Sequence, residues 1–329
     1  MATQFINSNA GATAHHLGLI GSPYLQKFGL SADSNYVALR ACTRAVADQD
    51  GDVMLPMASF SGADAVGNKA LSRAYGDPNY TQVNPQSFQN LPLRMLDQGC
   101  QHDLDLNTPN NRMVYRLQGM AGLDRVGVSA ALAMYLQKIE TTLLTLLTAV
   151  TSPFTANADV DCSGTDWTQS STAIDTQILT AIEKCQATGF TPDAVILDHT
   201  AARHFRHSPE IVTRYGGNAG AGALSTSLYQ QAWASYGITQ IYTCLASSAL
   251  GDKVILFKRG AAFTEGDNVD AGALLAFQQP PIEAEQDEYG LTYFEGVQGA
   301  AGVVKTYGVR STLGFLINPQ LGVRLTAVY

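Results

Sequence analysis

The sequence predicts an α+β fold. Three features support this prediction: an apolar pattern of helical period over residues 132–150, helix and strand patterns intermixed over 166–280, and only strand patterns from residue 291 onward. A long helix, a mixed region and a strand-only region suit layers of helices packed against sheets. No repeat of fixed period is evident, which argues against a repeat architecture.

Charged residues are scarce for a soluble chain. The protein has 329 residues, of which 20 are Lys or Arg and 28 are Asp or Glu, so charged side chains make up 15% of the sequence. An ordinary soluble protein carries roughly 25%. Because exposed charges keep free subunits apart, the low charge predicts that other subunits cover much of the surface.

Composition also excludes several classes of protein. The most apolar segment, 141–150, is shorter than the roughly 18 residues of a membrane span and closely follows Lys138 and Glu140. The N-terminus has no basic start followed by an apolar core, so no secretory signal is expected. Scattered cysteines without a paired spacing predict reduced thiols and no zinc site. The net charge of -8 argues against a main surface that binds nucleic acid.

The first hundred residues show little regular periodicity. Residues 1–33 are rich in Gly, Ser, Ala and Asn and predict an extended arm, and Ser34 is expected to cap a helix that continues to Asp48. A strand is predicted over 53–60. The polar, turn-rich stretch 61–100 is too long for a structureless loop inside a compact domain. It is expected to form its own hairpin or to project onto a partner.

The strongest local signal lies in the middle of the chain. Apolar residues recur at steps of three and four until Pro153, which ends the pattern because proline cannot continue a helix. A helix over 125–150 would be about 39 Å long, enough to serve as the spine of a subunit. Its apolar stripe consists of Leu132, Leu136, Ile139, Leu143, Leu147 and Val150.

The rest of the chain alternates between helix and strand before it becomes all strand. A helix is predicted over 171–187, a buried strand over 194–197, and a further helix after a cap at Asp198 or Thr200. The remaining predicted elements are a helix over 225–236 and strands over 238–243, 254–257, 273–277, 291–297, 303–309 and 321–328.

A cluster of histidines is the main candidate for catalysis. His199, His204 and His207 lie close together in sequence, but spacings of five and three do not place all three on one helical face. A solvated helix that also carries Arg203 and Arg206 is the favoured interpretation. An α/β enzyme that uses His204 or His207 is kept as the alternative function of another class.

Other polar motifs are also interpreted as ordinary surface features. Residues 48–52 and 159–164 carry the spaced carboxylates of a calcium loop but lack its closing Glu, so surface turns are expected. The glycine-rich stretch 216–222 lacks the Gly-Lys of a phosphate-binding loop, and a mobile loop is preferred. The acidic run 283–288 is interpreted as a solvated strand edge or as a subunit contact with Arg or Lys.

Three stretches in a fixed order carry a resemblance. A turn-rich stretch over 71–89 is followed by the long helix over 132–150 and then by 172–215. In the third stretch an amphipathic helix leads to a proline, a buried strand and a helix that ends in His207-Ser-Pro. This order resembles the major capsid proteins of tailed bacteriophages, which have the Hong Kong 97-type fold that encapsulin shells share. The resemblance extends over residues 50–329.

The resemblance implies a division of the chain. An N-terminal arm would comprise 1–50, an extended β-hairpin loop 51–100, a peripheral domain with the spine helix 101–165 and 281–329, and an axial domain 166–280. Axial domains would meet around five-fold and six-fold axes, and extended loops would lie over neighbouring subunits. Candidates for contacts between subunits are Lys69, Arg73, Tyr75, Tyr80, Phe88, Glu283 and Glu285.

The resemblance also implies a function. The chain would be a major capsid protein that self-assembles through hexamers and pentamers into an icosahedral shell around double-stranded phage DNA, without enzymatic activity or cofactor. Its partners would be many copies of itself, scaffolding, portal and decoration proteins, and DNA held by non-specific contact, with no membrane. It would be assembled in the host cytoplasm and reside in the virion. An encapsulin-like nanocompartment is the alternative among shell proteins.

Overall fold

The structure is a computed structural model in which the chain divides into two compact units. The first unit comprises Met1–Val53, Leu91–Leu143 and Ala276–Leu316, and the second comprises Met54–Asn90, Leu144–Leu275 and Ile317–Tyr329. The residues described are 4–5, 36–46, 53–55, 89–91, 96–105, 108–169, 173–215, 222–244, 247–260, 272–278, 291–298 and 304–329.

Helices and strands occur throughout the described residues. In chain order they are β1 (Gln4–Phe5), α1 (Val37–Arg40), β2 (Thr43–Val46), β3 (Val53–Leu55), β4 (Gln89–Leu91), β5 (Leu96–Asp105), α2 (Pro109–Leu147), β6 (Val160–Asp161), α3 (Ile174–Ala187), β7 (Ala194–Leu197), α4 (His199–His207), α5 (Pro209–Tyr215), α6 (Thr226–Ser235), β8 (Gln240–Thr243), α7 (Ser247–Leu250), β9 (Val254–Phe257), β10 (Leu274–Gln278), β11 (Leu291–Gln298), β12 (Val304–Ile317) and β13 (Gly322–Thr326).

The sheet of the first unit is organised around β12. Its strands follow the order β1-β2-β10-β12-β11, and β5 also pairs with β12. Both β11 and β5 run antiparallel to β12, and both are paired with it over residues 304–311. Over that stretch β12 has a partner on each edge, so its backbone hydrogen-bonding groups are satisfied within the sheet.

Helix α2 is the predicted spine helix, and it begins earlier than expected. It has 39 residues and is interrupted at Gly119, whose φ of 70° and ψ of -165° suit glycine. The predicted apolar stripe is buried except at its last residue: Leu132, Leu136 and Leu143 are each at most 4% exposed, whereas Val150 lies beyond the helix end at Leu147 and is fully exposed. The turns before Gly119 contain no fully buried side chain, and Asn111 and Val114 are half-buried.

Helix α2 approaches the sheet closely at one glycine. A Cβ atom at Gly127 would lie 2.2 Å from Cδ2 of Tyr307, a β12 residue that is 1% exposed. The Tyr307 hydroxyl donates to Asp124 Oδ1 at 2.5 Å, and Lys305 Nζ lies 2.6 Å from the same oxygen. Glycine at this position lets the tyrosine ring lie against the helix backbone.

The helix predicted from Ser34 to Asp48 is wrong over its second half. Within the described residues 36–46 only α1 is helical, and Thr43–Val46 form β2, which pairs antiparallel with β1. Two of the four β2 residues, Thr43 and Val46, are β-branched, which favours a strand when a pairing partner is available. Because that partner is Gln4–Phe5, and the paired residues are 40 and 42 positions apart, a local pattern could not reveal the pairing.

The second unit has a five-stranded sheet in the order β6-β13-β9-β7-β8. Strand β7 pairs parallel with β8 and antiparallel with β9, and β13 pairs antiparallel with β9. Helices α3, α4 and α6 contribute to one core with this sheet. At its centre the rings of Phe205 and Trp233 stack with centroids 4.5 Å apart, which is a favourable aromatic geometry.

Several predicted elements are confirmed in this unit. Strands β7 and β9 have the predicted bounds, and all their residues are buried. The predicted cap Asp198 accepts a hydrogen bond from the backbone N–H of Ala201 at 2.7 Å, as expected for a helix N-terminus. Of the predicted extended loop, 51–100, only residues 53–55, 89–91 and 96–100 are described, and of the glycine-rich stretch 216–222 only Gly222 is described.

The contact between Gly127 and Tyr307 generates a stability prediction. In the Gly127→Ala variant the new methyl group would overlap the Tyr307 ring, so the free energy of unfolding should fall by roughly 1–3 kcal/mol. Urea denaturation followed by circular dichroism measures this change. The Gly164→Ala variant is the control, because a Cβ there has no neighbour within 4 Å. Equal effects of the two substitutions would contradict the prediction.

Candidate functional site

The predicted contacts between subunits lie outside the described residues. This applies to all seven candidates, Lys69, Arg73, Tyr75, Tyr80, Phe88, Glu283 and Glu285. Their role stays a prediction from the sequence.

Two of the three histidines of α4 make separate contacts. The His204 ring stacks on the ring of Tyr329 with centroids 6.1 Å apart, while His207 Nδ1 lies 2.8 Å from the carbonyl oxygen of Gly222. Burial, together with the nearby charge of Arg203, lowers the pKa of His204. Among the described residues no group of three or more His, Cys, Asp or Glu side chains could hold a metal ion. The histidines therefore do not converge on a common reacting position.

Asp198, next to these histidines, has a structural role. One carboxylate oxygen caps α4, and the other accepts a hydrogen bond from the Tyr329 hydroxyl at 2.8 Å. The same hydroxyl lies 2.9 Å from the carbonyl oxygen of Gly251. Burial raises the pKa of Tyr329, and the hydrogen bond to Asp198 raises it further. The last residue of the chain is thus held in the second unit by hydrogen bonds, and both oxygens of Asp198 are already in use.

A buried arginine anchors the end of α2. Arg324, in β13, is 3% exposed, and its Nη1 donates to the carbonyl oxygen of Ala149 at 2.7 Å, with that of Leu147 at 3.3 Å. Its Nη2 and Nε donate to Oδ2 of Asp159 at 2.6 and 3.1 Å. A guanidinium here satisfies carbonyls that a helix end leaves without partners and complements the helix dipole.

The stretch 159–164, which has the carboxylate spacing of a calcium loop, forms a turn. Its first carboxylate, Asp159, binds Arg324. Its second, Asp161, accepts the backbone N–H of Ser163 at 2.9 Å, and this hydrogen bond lowers the pKa of the Asp161 carboxyl. Both carboxylates are thus engaged by the protein itself, as in the predicted surface turn.

A second anchored carboxylate joins three helices of the second unit. Asp175, at the start of α3, accepts hydrogen bonds at Oδ1 from Arg214 Nη1 at 2.6 Å and from the Tyr236 hydroxyl at 2.5 Å. Burial alone would raise the pKa of Asp175, but the bonds from Arg214 and Tyr236 and the charge of Arg214 outweigh it and lower the pKa. The contacts fix α3 against α5 and the end of α6.

A buried glutamate makes the corresponding contact in the first unit. Glu140 on α2 is fully buried, and its Oε2 accepts the backbone N–H of Ala38 at 2.8 Å. Burial raises the pKa of Glu140, and hydrogen bonds from the N–H groups of Ala38 and Val37 oppose the rise. Oε1 has no hydrogen-bond partner among the described residues. The carboxyl group holds α1, which is only one turn long, against the spine helix.

Large apolar side chains remain exposed along α2. Met113 is 62% and Leu117 72% exposed, and further along the helix Val126, Met134 and Leu146 are also exposed. A run of exposed apolar residues on one helix is typical of a surface that contacts another protein. Among the described helices, none is long and apolar enough to cross a membrane.

No known protein family and no curated protein matches the sequence. Among solved structures, a phage-related protein from Bordetella bronchiseptica RB50 is similar, with a TM-score of 0.63 at 13% identity over 93% of this chain and 97% of that one. The holo-SrpI encapsulin from Synechococcus elongatus PCC 7942 has a TM-score of 0.47 at 11% identity, covering 90% and 88%. The capsid of Myoviridae phage XM1 has a TM-score of 0.45 at 12% identity, covering 71% and 74%.

The phage-related protein decides the fold, because its similarity extends over nearly the whole of both chains. The chain has the Hong Kong 97-type fold. The α+β class and the fold expected from the order of elements are thereby confirmed. The division into arm, loop, peripheral and axial domains stays a prediction.

Sequence reasoning missed the residues that anchor this fold. Arg324 lies between the apolar Val323 and Leu325, and Glu140 lies next to Ile139 in the apolar stripe of α2. A charged residue at an apolar position of the pattern is the signal that could have marked both residues as buried and bonded. Their partners are distant in sequence, so the contacts themselves could not be read from the pattern.

The anchored helix end generates a second stability prediction. In the Arg324→Met variant the side chain keeps its bulk, but Asp159 and the carbonyl oxygen of Ala149 lose their donors. The free energy of unfolding should therefore fall by about 3 kcal/mol, as measured by urea denaturation. The Arg203→Met variant removes an exposed charge and is the control. A loss no larger than the control's would contradict the role assigned to Arg324.

The lowered pKa of Asp175 generates a prediction on pH. A carboxyl group with a folded pKa below its unfolded value, about 3.9, stabilises the fold fully above that value and progressively less as the pH falls through the folded pKa. The stability difference between the parent and the Asp175→Asn variant should therefore shrink as the pH is lowered below about 4. Denaturation at a series of pH values measures it. A constant difference would show that the ionised form is not the one stabilised.

Proposed function

We propose that the chain is the major capsid protein of a tailed bacteriophage. It self-assembles through hexamers and pentamers into an icosahedral shell that encloses double-stranded DNA. The observation that carries the proposal is the fold, which is shared with a phage-related protein over 97% of that protein's length. A similarity over the whole length concerns the complete subunit architecture and not one common module.

The surface of α2 supports a role in assembly. Met113, Leu117 and Met134 are each at least 45% exposed. In addition, charged residues make up only 15% of the chain. For a subunit of this composition, association with copies of itself lowers the free energy because it removes apolar surface from water. In a closed symmetric shell each small contact is repeated in every copy, so weak contacts suffice.

The internal anchors support the same role. Arg324, Asp175 and Glu140 each fix the end of a helix to a distant part of the same unit. A subunit whose elements are already held in place loses less conformational freedom when it associates. Such preorganisation suits a protein that must make many contacts of modest strength.

In this proposal the remaining parts of the chain take the places implied by the fold. The arm, 1–50, and the loop, 51–100, overlap neighbouring subunits, and the axial region, 166–280, surrounds the symmetry axes. Scaffolding, portal and decoration proteins are the expected partners, and DNA is contacted without sequence preference. The protein is assembled in the host cytoplasm and becomes part of the virion. No catalytic role is included, because His204, His207 and Asp198 are used in packing and hydrogen bonds.

Assembly of the purified full-length chain tests the proposal. The chain is expressed alone and together with a candidate scaffolding protein, and the products are examined by sedimentation velocity and negative-stain electron microscopy. Closed particles of uniform diameter with pentamers and hexamers are expected in at least one condition.

Two outcomes would contradict the capsid proposal. Discrete monomers under both conditions and at all concentrations would exclude a shell-forming role. Closed particles that form without any scaffold and that retain a co-expressed protein cargo, but no DNA, would instead assign the chain to the encapsulin-like compartments.

A further inference from the structure

Helix α4 has a buried apolar face and a basic face opposite it. Ala201 and Phe205, four residues apart, lie in the core of the second unit. The residues on the other side of the helix all have basic side chains, and they fall within about 100° of the helix circumference. We call these residues the basic stripe of α4. They are His199, Arg203, Arg206 and His207, of which Arg206 is half-buried and the others are exposed.

In the part of the chain that the structure describes, no carboxylate pairs with the basic stripe. Arg203 is exposed and forms no ion pair there. Arg206 Nε and Nη2 donate to the carbonyl oxygen of Leu224 at 3.1 and 2.7 Å. Because a carbonyl carries no net charge, this contact orients the guanidinium without neutralising it. Asp198, just before α4, is buried and uses both of its oxygens in other hydrogen bonds.

The chemistry of the basic stripe favours a phosphate backbone over a protein surface. None of the large apolar side chains that are exposed on the described residues lies on α4. Protein interfaces have apolar and aromatic cores that are depleted in charge, whereas nucleic-acid interfaces are polar and strongly positive. From His199 to His207 the stripe extends about 12 Å along the helix axis, which is enough to reach more than one phosphate of a DNA strand.

We propose that the basic stripe of α4 binds the phosphate backbone of the enclosed double-stranded DNA. This inference rests on the proposed capsid function and assigns residues to one of its contacts. It requires the basic face of α4 to line the interior of the shell. The contact carries no sequence preference, because phosphates are the same at every base pair. One stripe binds weakly, since the chain has a net charge of -8, but every copy in the shell repeats the contact.

Binding of a labelled DNA duplex of arbitrary sequence to the unassembled full-length chain tests the contact. The dissociation constant is measured by fluorescence anisotropy over a series of salt concentrations. The variant Arg203→Gln with Arg206→Gln should raise it about ten-fold and reduce the slope of log K against log salt by about two, because two phosphate contacts are lost. Arg203→Gln alone should reduce that slope by about one, and its side chain makes no hydrogen bond in the described residues.

Two controls separate the basic stripe from net charge and from folding. Arg116→Gln with Arg125→Gln makes the same change in net charge at exposed positions of α2, and the dissociation constant should change by less than about two-fold because no phosphate contact is lost. Arg203→Lys with Arg206→Lys keeps both charges but alters the contact with Leu224. It should bind the duplex within about three-fold of the parent. Melting temperatures from circular dichroism show whether any variant is destabilised.

Each contrary result overturns the inference in a recognisable way. A parent chain that does not bind the duplex, or glutamine variants that bind it like the parent, would remove the contact and leave the capsid proposal standing. An equal loss in the α2 control would reduce the effect to net charge. A loss in the lysine variant with a lower melting temperature would assign the effect to folding. Displacement of the duplex by polyglutamate at equal charge concentration would assign the stripe to an acidic protein.

Failure of the capsid proposal has a different signature. A parent chain that binds the duplex through the basic stripe but never forms particles would overturn the enclosure of DNA, while the stripe would remain a DNA-binding surface. If particles form, those of the double glutamine variant should assemble at the same protein concentration as the parent. They should retain less nucleic acid, as measured by the ratio of absorbance at the nucleic-acid and protein maxima.

Discussion

The second unit depends on the guanidinium of Arg324. This side chain occupies the buried end of α2, where carbonyl groups without helical partners would otherwise be removed from water. The same group binds Asp159, which immediately precedes β6, the strand that pairs with β13. Asn157 adds hydrogen bonds to the carbonyl oxygens of Gln320 and Gly322. The helix end, the edge strand and β13 are thus held together through one short segment.

Some of the few charged residues of the chain form ion pairs within the two units. Several are used inside the units: Asp175 with Arg214, Asp124 with Lys305, and Asp193 with Lys258. Each pair is partly shielded from water, where an ionic hydrogen bond contributes more than on an open surface.

Residue type and spacing were sufficient to predict an element whose conformation depends mainly on its own residues. The bounds of β7 and β9, the cap at Asp198 and the apolar stripe of α2 were all predicted from residue type and spacing. The predicted helix over 34–48 was wrong because pairing with β1 outweighed the local pattern. Of the candidate site, the histidine contacts with Tyr329 and Gly222 lay beyond prediction, because both partners are distant in sequence.

The sequence by itself determined the fold class, the spine helix and the expectation of a self-associating subunit, because composition and apolar periodicity report directly on burial. Only the tertiary structure decided what the isolated charges do. Arg324 and Glu140 are both charged residues next to apolar ones in the sequence, yet one anchors a helix end and the other holds α1. Their partners are distant in the sequence: Arg324 bonds the carbonyl oxygen of Ala149 and the carboxylate of Asp159, and Glu140 bonds the backbone N–H of Ala38. Folding alone could bring these groups together.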